Sequence, residues 1–464
     1  MNKNFDTIII GNGSIGCGIA FELLSKNINL KIALIGPIDF NGSASLAAGA
    51  MLNNFGEIEY DTLSNKYALS KIKMLIKAKK MWPQHLKKLN NLTKNSLKIK
   101  KGTIVLNNGA SDSLDDLNFK SIISGLKKFK EKYEIIENNK KIKGYDPFEK
   151  SRSFKSIYIP NEDYIDNPEK LLNSYYEFFR NNKNIDIING YAEQISLQDK
   201  KVKVIKVNNL KISAPNVVIA NGAYAQNLFD QLKLKNIPKL FFGSGNALIG
   251  TYDKKINQQH VIRTPNRGMA CGLHVVPMSN NHIYIGATNR VSDSPINYPI
   301  CSGILGLQQS LIKEINKSYS NLKIKKTLVG HRPTTLDTYP IIGPTSIVGL
   351  YVASGTKRDG LTLSPLIGKI IADLILKKKQ TDMPSFFYPE RKPLFTMSVE
   401  QGIEKSLKHS MSAAYQHNLE LPHIDFENTV IKSLKNDVIN IYKLNKIKKG
   451  IPPEILSMYK YKKT

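Results

Sequence analysis

The stretch DTIIIGNGSIGCGIAFELLSKNINLKIALIGP, residues 6–37, decides the fold. A short apolar run, TIII, precedes the pattern Gly11-x-Gly13-x-x-Gly16, and apolar residues at helical spacing and a second apolar run, KIALI, follow it. This order of strand, glycine turn, helix and strand is the context in which the pattern indicates a dinucleotide site. The glycines let the backbone approach a pyrophosphate, and the start of the helix directs N–H groups at it.

The pattern lacks the acidic residue that often closes the second strand and binds a ribose hydroxyl. Gly36 stands there, followed by Pro37, and Asp39 is the nearest acid. Asp39 could reach the ribose, or backbone groups or water could hold it instead. We also expect a tightly bound dinucleotide with many other contacts rather than a freely exchanging NAD.

The composition predicts two or three globular domains, because the chain has 464 residues, of which 41% are hydrophobic and 23% charged. The net charge of +29 has two interpretations, a polyanionic partner or a general enrichment in lysine. The lysines are spread along the chain without interleaved aromatic residues, which favours the second interpretation. Binding of nucleic acid is therefore not expected.

The three cysteines, Cys17, Cys271 and Cys301, do not have the spacing of metal ligands. We expect reduced thiols and no metal site. The apolar runs fall short of the roughly 20 residues of a membrane span, and MNKNF leads directly into a strand-like run rather than a signal peptide. The sequence therefore predicts a cytoplasmic protein without a membrane partner.

Three later stretches carry further signals. Residues 40–59, FNGSASLAAGAMLNNFGEIE, are rich in small residues and predict the start of a helix. Residues 330–344, GHRPTTLDTYPIIGP, place one arginine just ahead of an apolar run. In residues 355–376, GTKRDGLTLSPLIGKIIADLIL, we expect Ser364 to cap a helix whose first residue is Pro365.

Taken in order, these stretches resemble the D-amino-acid oxidase family of flavoproteins, and most of all its glycine oxidase and sarcosine oxidase members. The resemblance covers GNGSIG, SASLAAGAML, GHRPTTLDTYPIIGP and GTKRDGLTLSPLIGKIIADLIL, and runs from about residue 5 to residue 385. VVIANGAYAQ (217–226) resembles the family's strand and turn under the flavin nucleotide. MACGLHVVP (269–277) and HIYIGATN (282–289) resemble its paired strands in the substrate domain.

The resemblance implies an α/β fold, in which a Rossmann-like FAD-binding domain is interleaved with an α+β substrate domain built on a mostly antiparallel sheet. The expected FAD-binding domain comprises residues 1–90, 160–235 and 325–385, and the substrate-binding domain comprises residues 91–159 and 236–324. Residues 386–464 exceed the usual family length and have helical periodicity. This C-terminal extension could pack across the substrate domain, cap the active site or form a contact in a homo-oligomer.

The resemblance also implies FAD, bound non-covalently because no cysteine stands where sarcosine oxidases attach the flavin. Glu193 is expected at the adenine end through its backbone, and the N–H groups of residues 360–362 at the flavin pyrimidine edge. The residues expected to contact FAD are Gly11, Gly13, Ser14, Ile15, Gly16, Gly36, Ala44, Ser45, Gly49, Ala50, Met51, Glu193, Gly222, Thr356, Lys357, Arg358, Asp359, Gly360, Leu361 and Thr362.

For the substrate, the resemblance implies that Arg332, the arginine of the family's G-x-R-P motif, pairs with a carboxylate, and that Arg358 lies near substrate and flavin. Met269 and His274 stand where glycine oxidase has two tyrosines, and Asn289 stands where an apolar residue is expected. His274 could donate a hydrogen bond to the carboxylate, act as a switchable cation or be a satisfied buried histidine. A substrate other than glycine is therefore expected.

His331, beside the expected substrate arginine, could face the flavin or only pack. The implied reaction is oxidation of the C–N bond of an amino acid or secondary amine. Hydride passes to flavin N5, the imine is hydrolysed, and O2 reoxidises the flavin to give H2O2. Two alternatives stay open: a dehydrogenase of the same fold that uses another electron acceptor, and a flavoenzyme that modifies a tRNA base. A non-catalytic flavin-binding protein is disfavoured by the presence of Arg332.

Overall fold

The computed structural model describes residues 2–460 except 28, 40–41, 53, 109–112, 254–255, 379–382 and 418. Its strands are β1 Asn2–Asn4, β2 Thr7–Ile10, β3 Ile32–Ile35, β4 Met51–Leu52, β5 Ile99–Lys100, β6 Thr103–Asn108, β7 Glu134–Ile136, β8 Ser153–Ile159, β9 Asp163–Ile165, β10 Ile185–Ile188, β11 Ala192–Gln198, β12 Lys201–Val207, β13 Leu210–Ser213, β14 Asn216–Ile219, β15 Leu240–Thr251, β16 Val261–Arg263, β17 His274–Met278, β18 His282–Gly286, β19 Arg290–Ser292, β20 Lys323–Thr335, β21 Ile341–Pro344 and β22 Leu350–Ser354. Its α-helices are α1 Ser14–Lys26, α2 Lys66–Leu92, α3 Ser113–Lys128, α4 Pro168–Arg180, α5 Ala225–Gln231, α6 Cys301–Ser310, α7 Gly360–Ile375, α8 Val399–Gln416, α9 Ile424–Leu444 and α10 Pro453–Lys460.

A six-stranded sheet, ordered β10-β3-β2-β14-β22-β21, carries the dinucleotide motif. Its strands are parallel except for the β21–β22 pair. The predicted strands TIII and IALI are buried along their whole length, as expected of a parallel sheet covered on both faces. Helices α1, α2, α4 and α7 share one apolar core with it, and β11–β13 and α5 share a second core. The predicted strand–turn–helix–strand unit is therefore present.

The second large sheet is ordered β19-β15-β18-β17-β16-β6-β8-β7, with β20 paired to β15. Its strand pairs are antiparallel except β6–β16. Side chains alternate between its faces, so that Ile104 and Leu106 pack towards α6 while Val105 packs towards α3. The mixed α/β class and the mostly antiparallel second sheet are as predicted, whereas the division into domains at the stated residues stays a prediction.

The C-terminal extension is helical, as predicted, and packs against the second sheet. Phe241 of β15 and Val291 of β19 share an apolar core with Ile403, Val438 and Ile455 of α8, α9 and α10. Among the described residues, no helix combines the length and the apolar character that crossing a bilayer requires. The cellular location and the oligomeric state stay predictions.

Helix α7 begins earlier than expected. Its N-cap is Asp359 and its first residue Gly360, so Ser364 is not the cap and Pro365 lies inside the helix. A proline there leaves the carbonyl four residues earlier without its N–H donor. The Ser364 hydroxyl donates instead to that carbonyl, of Leu361, at 2.9 Å. The serine thus compensates for the proline rather than starting the helix.

The helix expected within residues 40–59 is also absent over the described part of that stretch, which forms turns and the short strand β4. Its carbonyls have partners elsewhere: that of Ala47 accepts from the Tyr284 hydroxyl at 2.9 Å, and that of Ala50 accepts from the Ile165 N–H at 2.9 Å. Ala50 also has φ of 52°, in the left-handed region. Tertiary contacts therefore override the helical propensity of the small residues.

Replacement of Gly16 by alanine is expected to destabilise the fold. A Cβ atom at Gly16 would lie 1.8 Å from the backbone oxygen of Gly11, whereas at Gly13 it would meet only the Ser45 hydroxyl, at 3.2 Å. Because a shift of the backbone costs free energy, Gly16→Ala should lower the free energy of unfolding by about 1–3 kcal/mol. The matched control Gly13→Ala should cost less. Urea denaturation of the apoprotein measures both, and equal losses would contradict the close approach.

Candidate active site

A cavity of about 540 Å³ runs from the carboxyl ends of the parallel strands to the second sheet. Parallel sheets of this type bind ligands at that edge. Of the residues predicted to contact FAD, all except Gly16 line it, and so do Arg332 and His274. Gly16 instead packs against the turn before α1, which is the role of the third glycine in such motifs.

The nucleotide end of the cavity is formed by the start of α1. The N-cap of α1 is Gly13, which has no side chain to cap the helix. The Ser14 N–H donates to the Ser45 hydroxyl at 3.0 Å, and that hydroxyl lies 3.1 Å from the Ser14 hydroxyl. The sequence had placed Ser14 and Ser45 at the cofactor separately, and the structure brings them together. The first turn of α1 therefore presents N–H groups suited to an anion.

Asn12 explains why Gly36 replaces the usual acid. A Cβ atom at Gly36 would lie 2.2 Å from Cγ of Asn12. The Asn12 side chain occupies the space next to Gly36, at the end of β3. Its amide donates to the carbonyl of Pro37 at 2.8 Å and to the Tyr176 hydroxyl at 2.6 Å. Asp39 is exposed and is not among the residues that line the cavity.

Glu193 lines the far end of the cavity without directing its carboxylate there. Its carboxylate lies 3.3 Å from the Lys206 ammonium, and its carbonyl accepts from the Gln231 amide at 3.0 Å. This arrangement is compatible with the expected backbone contact.

The first turn of α7 faces the middle of the cavity through residues 360–362. The N-cap Asp359 makes no capping hydrogen bond, and its carboxylate pairs with Lys71 at 2.7 Å. The Thr362 hydroxyl donates to the carbonyl of Met51 at 3.2 Å, which joins the turn to the small-residue stretch. The positive end of the α7 dipole therefore points into the cavity and favours a negative charge there.

Arg332 is placed by the long pairing of β15 with β20, in which it lies opposite Gly243. The guanidinium occupies space that a side chain at Gly245 would fill, because a Cβ there would lie 2.2 Å from Nη1. Nη1 donates to the carbonyl of Thr288 at 3.0 Å and to Oδ1 of Asn289 at 3.4 Å. Among the described residues, no carboxylate lies within 4.0 Å of this half-buried guanidinium.

Arg358 differs from Arg332 because it already has a counter-ion. Its Nη1 lies 3.1 Å from Oε2 of Glu57, whose Oε1 accepts from the fully buried Arg263 at 2.8 Å. Burial alone would raise the pKa of Glu57, but Arg358 and Arg263 lower it to about 2. Glu57 and Arg263 were not predicted as site residues, because only the folded chain brings them together.

Cys271, His274 and Tyr284 line the cavity on the same sheet as Arg332, with His274 on β17 and Tyr284 on β18. Burial opposes ionisation of the Cys271 thiol, but the hydrogen-bonded His274, with Arg332 and Arg358, lowers its pKa to about 5. The His274 ring stacks on Tyr284 with centroids 5.6 Å apart. Tyr284 was missed, although the sequence placed its strand correctly, since nothing in HIYIGATN shows which alternate residue faces the cavity.

Met269 and Asn289 lie beside the main cavity rather than in it. Both line a small adjoining pocket, and the Asn289 amide donates to the carbonyl of Met269 at 3.1 Å. His331 does line the main cavity, yet Ser244 and Asn297 contact its ring nitrogens at 3.0 and 3.2 Å. His331 thus both faces the cavity and is satisfied by its neighbours.

The profile of the DAO family, described as FAD dependent oxidoreductase, matches residues 6–374. The chain belongs to this family. The predicted family and its FAD cofactor are thereby confirmed. The uncapped starts of α1 and α7, and the glycine positions that leave no room for a Cβ, fit an extended dinucleotide in this cavity.

Individual relatives agree with the family. A bifunctional protein ThiO/ThiG of Trichormus variabilis is 28% identical over 244 residues, which are 50% of this chain and 34%, about a third, of that relative. Glycine oxidase of Geobacillus kaustophilus is 24% identical over 388 residues, covering 82% of this chain and 95% of the relative. The crystal structure of glycine oxidase from Geobacillus kaustophilus superposes with a TM-score of 0.72 at 21% identity, covering 84% of this chain and 99% of the other. This likeness confirms the predicted fold.

Lys357, predicted at the cofactor, directs its ammonium group to the C-terminal extension, where it pairs with Glu454 of α10. Burial lowers the pKa of Lys357, and although burial would raise that of Glu454, Lys357 lowers it. The loop before α7 is therefore tied to the extension by a buried ion pair.

Removal of Glu454's charge is expected to destabilise the protein, because Glu454→Gln leaves the buried Lys357 ammonium unpaired. The free energy of unfolding should fall by about 3–5 kcal/mol, and the double variant Lys357→Met/Glu454→Gln should recover part of it. Glu404→Gln removes an exposed pair, with Lys435, and should cost less than about 1 kcal/mol. Chemical denaturation measures all three, and equal losses for Glu454→Gln and Glu404→Gln would refute the buried pair.

Proposed function

We propose that this chain is an FAD-dependent enzyme that oxidises the C–N bond of an amino acid or secondary amine. The observation that carries the proposal is the half-buried Arg332 guanidinium, which lines the cavity without a carboxylate partner among the described residues. A substrate carboxylate could accept two parallel charge-assisted hydrogen bonds from this guanidinium. Arg358 is a weaker candidate for this contact, because Glu57 already neutralises it.

In this proposal the chain's own residues orient the substrate and exclude water. FAD, when bound, accepts the hydride that leaves the carbon next to the substrate nitrogen. Arg332 fixes the carboxylate end, and its own direction is fixed by Thr288 and Asn289. Tyr284 and His274, both buried, line the same cavity and help to exclude water from it. Holding the reacting atoms in one geometry supplies a large part of such a rate enhancement.

The proposed reaction balances as a two-electron oxidation. The substrate loses a hydride from carbon and a proton from nitrogen, and water converts the imine to a carbonyl compound and an amine. Dioxygen takes up the two electrons and two protons and leaves as hydrogen peroxide. Admission of air after anaerobic reduction tests this last step, since recovery of colour only with an artificial acceptor would indicate a dehydrogenase.

Substitution of Arg332 is expected to weaken binding of carboxylate substrates specifically. Loss of a desolvated, hydrogen-bonded charge pair costs about 2–5 kcal/mol, so Arg332→Met should raise KM by roughly 30- to 4,000-fold. Arg332→Lys should recover part of the loss, because it keeps the charge but not the planar fork. Anaerobic bleaching of the flavin by amino acids and N-methyl amino acids measures the effect.

The control substrate for this experiment is the matching amine without its carboxylate, which should be affected little by either substitution. The control variant is Arg152→Lys, an exposed arginine outside the cavity lining, which should behave as the unmodified protein. Equal losses with both substrates would show that Arg332 acts on something other than the carboxylate. Failure of every amine to bleach the flavin would overturn the proposed function.

A further inference from the structure

The C-terminal extension lies beyond the family match, which ends at residue 374, yet it reaches the substrate end of the cavity. A small pocket adjoins the main cavity there and shares Cys271, Arg332 and Arg358 with it. His409 of α8 and Glu454 of α10 form its outer side. Its volume of about 10 Å³ corresponds to roughly one water molecule, or one substrate oxygen.

The protonation of His409 follows from its contacts. The backbone N–H of Met269 donates to Nδ1 of His409 at 3.0 Å, so this nitrogen carries no proton. Burial lowers the pKa of His409, which keeps the ring neutral. A neutral imidazole with an accepting Nδ1 bears its proton on Nε2. The histidine is 2% exposed, and none of the residues that the structure describes is a hydrogen-bond partner of Nε2.

The carboxylates near His409 are held by other cations. Glu59 pairs with Lys405 at 2.8 Å, and Glu454 pairs with Lys357. A buried donor without a partner is costly, and such groups are normally satisfied by water or ligand. The Nε2–H therefore needs an acceptor from outside the described part of the chain, and the ring lines the pocket that opens beside Arg332.

We propose that His409 donates a hydrogen bond from Nε2 to an oxygen on the substrate's side chain, in addition to the carboxylate held by Arg332. This inference rests on the proposed function and narrows its substrate class. The substrate is then an amino acid or N-alkyl amino acid whose side chain carries a hydroxyl, amide or carboxylate oxygen. The extension acts as a specificity element of the active site.

Matched substrates test this proposal. Two pairs of amino acids differ mainly in the acceptor group: threonine and valine, and asparagine and leucine. Both enantiomers of each are used with the holoenzyme. The substrate dependence of anaerobic flavin bleaching gives the limiting reduction rate and the Kd of oxidised substrates, and perturbation of the flavin spectrum by non-oxidised members gives their Kd. The oxygen-bearing member of each pair is expected to bind roughly tenfold more tightly, the effect of one well-formed hydrogen bond.

Two substitutions separate substrate binding from a structural role. His409→Asn keeps an acceptor for the Met269 N–H but removes the Nε2 donor, so it should abolish the preference for oxygen-bearing substrates while leaving the melting temperature nearly unchanged. His409→Gln places an amide donor near the former Nε2 and should keep part of the preference. The matched control His417→Asn, at the exposed end of the same helix, should keep all of it.

The outcomes distinguish a wrong role for His409 from a wrong proposed function. If amines bleach the flavin but matched substrates bind equally, the proposed function stands and the role of His409 is wrong. If His409→Asn weakens the binding of valine and threonine equally, Nε2 donates to the carboxylate or to an internal water. That outcome also refutes the side-chain contact. If no amine bleaches the flavin, both the proposed function and the role of His409 are wrong.

Discussion

Pairing of buried charge organises the active site. Glu57 lies between Arg263 and Arg358 and neutralises the part of the cavity next to α7. A buried arginine without a counter-ion would be strongly unfavourable, so this carboxylate allows Arg358 to line the cavity. Arg332 is left half-buried and without a carboxylate partner among the described residues. The contrast between these two arginines, rather than either one alone, is the basis for our proposal that a substrate anion binds at Arg332.

The same principle connects the C-terminal extension to the site. Lys405 of α8 pairs with Glu59 and Asp61, and Glu454 of α10 pairs with Lys357. These pairs join α8 to the segment that directly follows Glu57, and α10 to the loop before α7. The extension is therefore integrated electrostatically as well as through the apolar core it shares with the second sheet, and it can influence the substrate without touching the flavin.

Local signals in the sequence were sufficient for the dinucleotide half of the site. The glycine pattern, the apolar strands and the family resemblance located cavity-lining residues in the turn before α1, in the small-residue stretch and in the first turn of α7, because those features are contiguous in the chain. Residues supplied by distant segments were missed. Glu57, Tyr284 and His409 have no motif of their own, and their roles arise only when strands and helices far apart in sequence meet. The start of α7 was misplaced because a serine and a proline imitate a helix start, whereas the serine hydroxyl in fact replaces the N–H that the proline lacks.

The most direct test of the central claim is a crystal structure of the FAD-bound enzyme with a non-oxidisable carboxylate analogue of an amino acid. The account predicts both carboxylate oxygens within hydrogen-bond distance of the Arg332 guanidinium, with Glu57 still paired to Arg358. A carboxylate bound instead by Arg358, with Glu57 displaced and Arg332 unchanged, would contradict it.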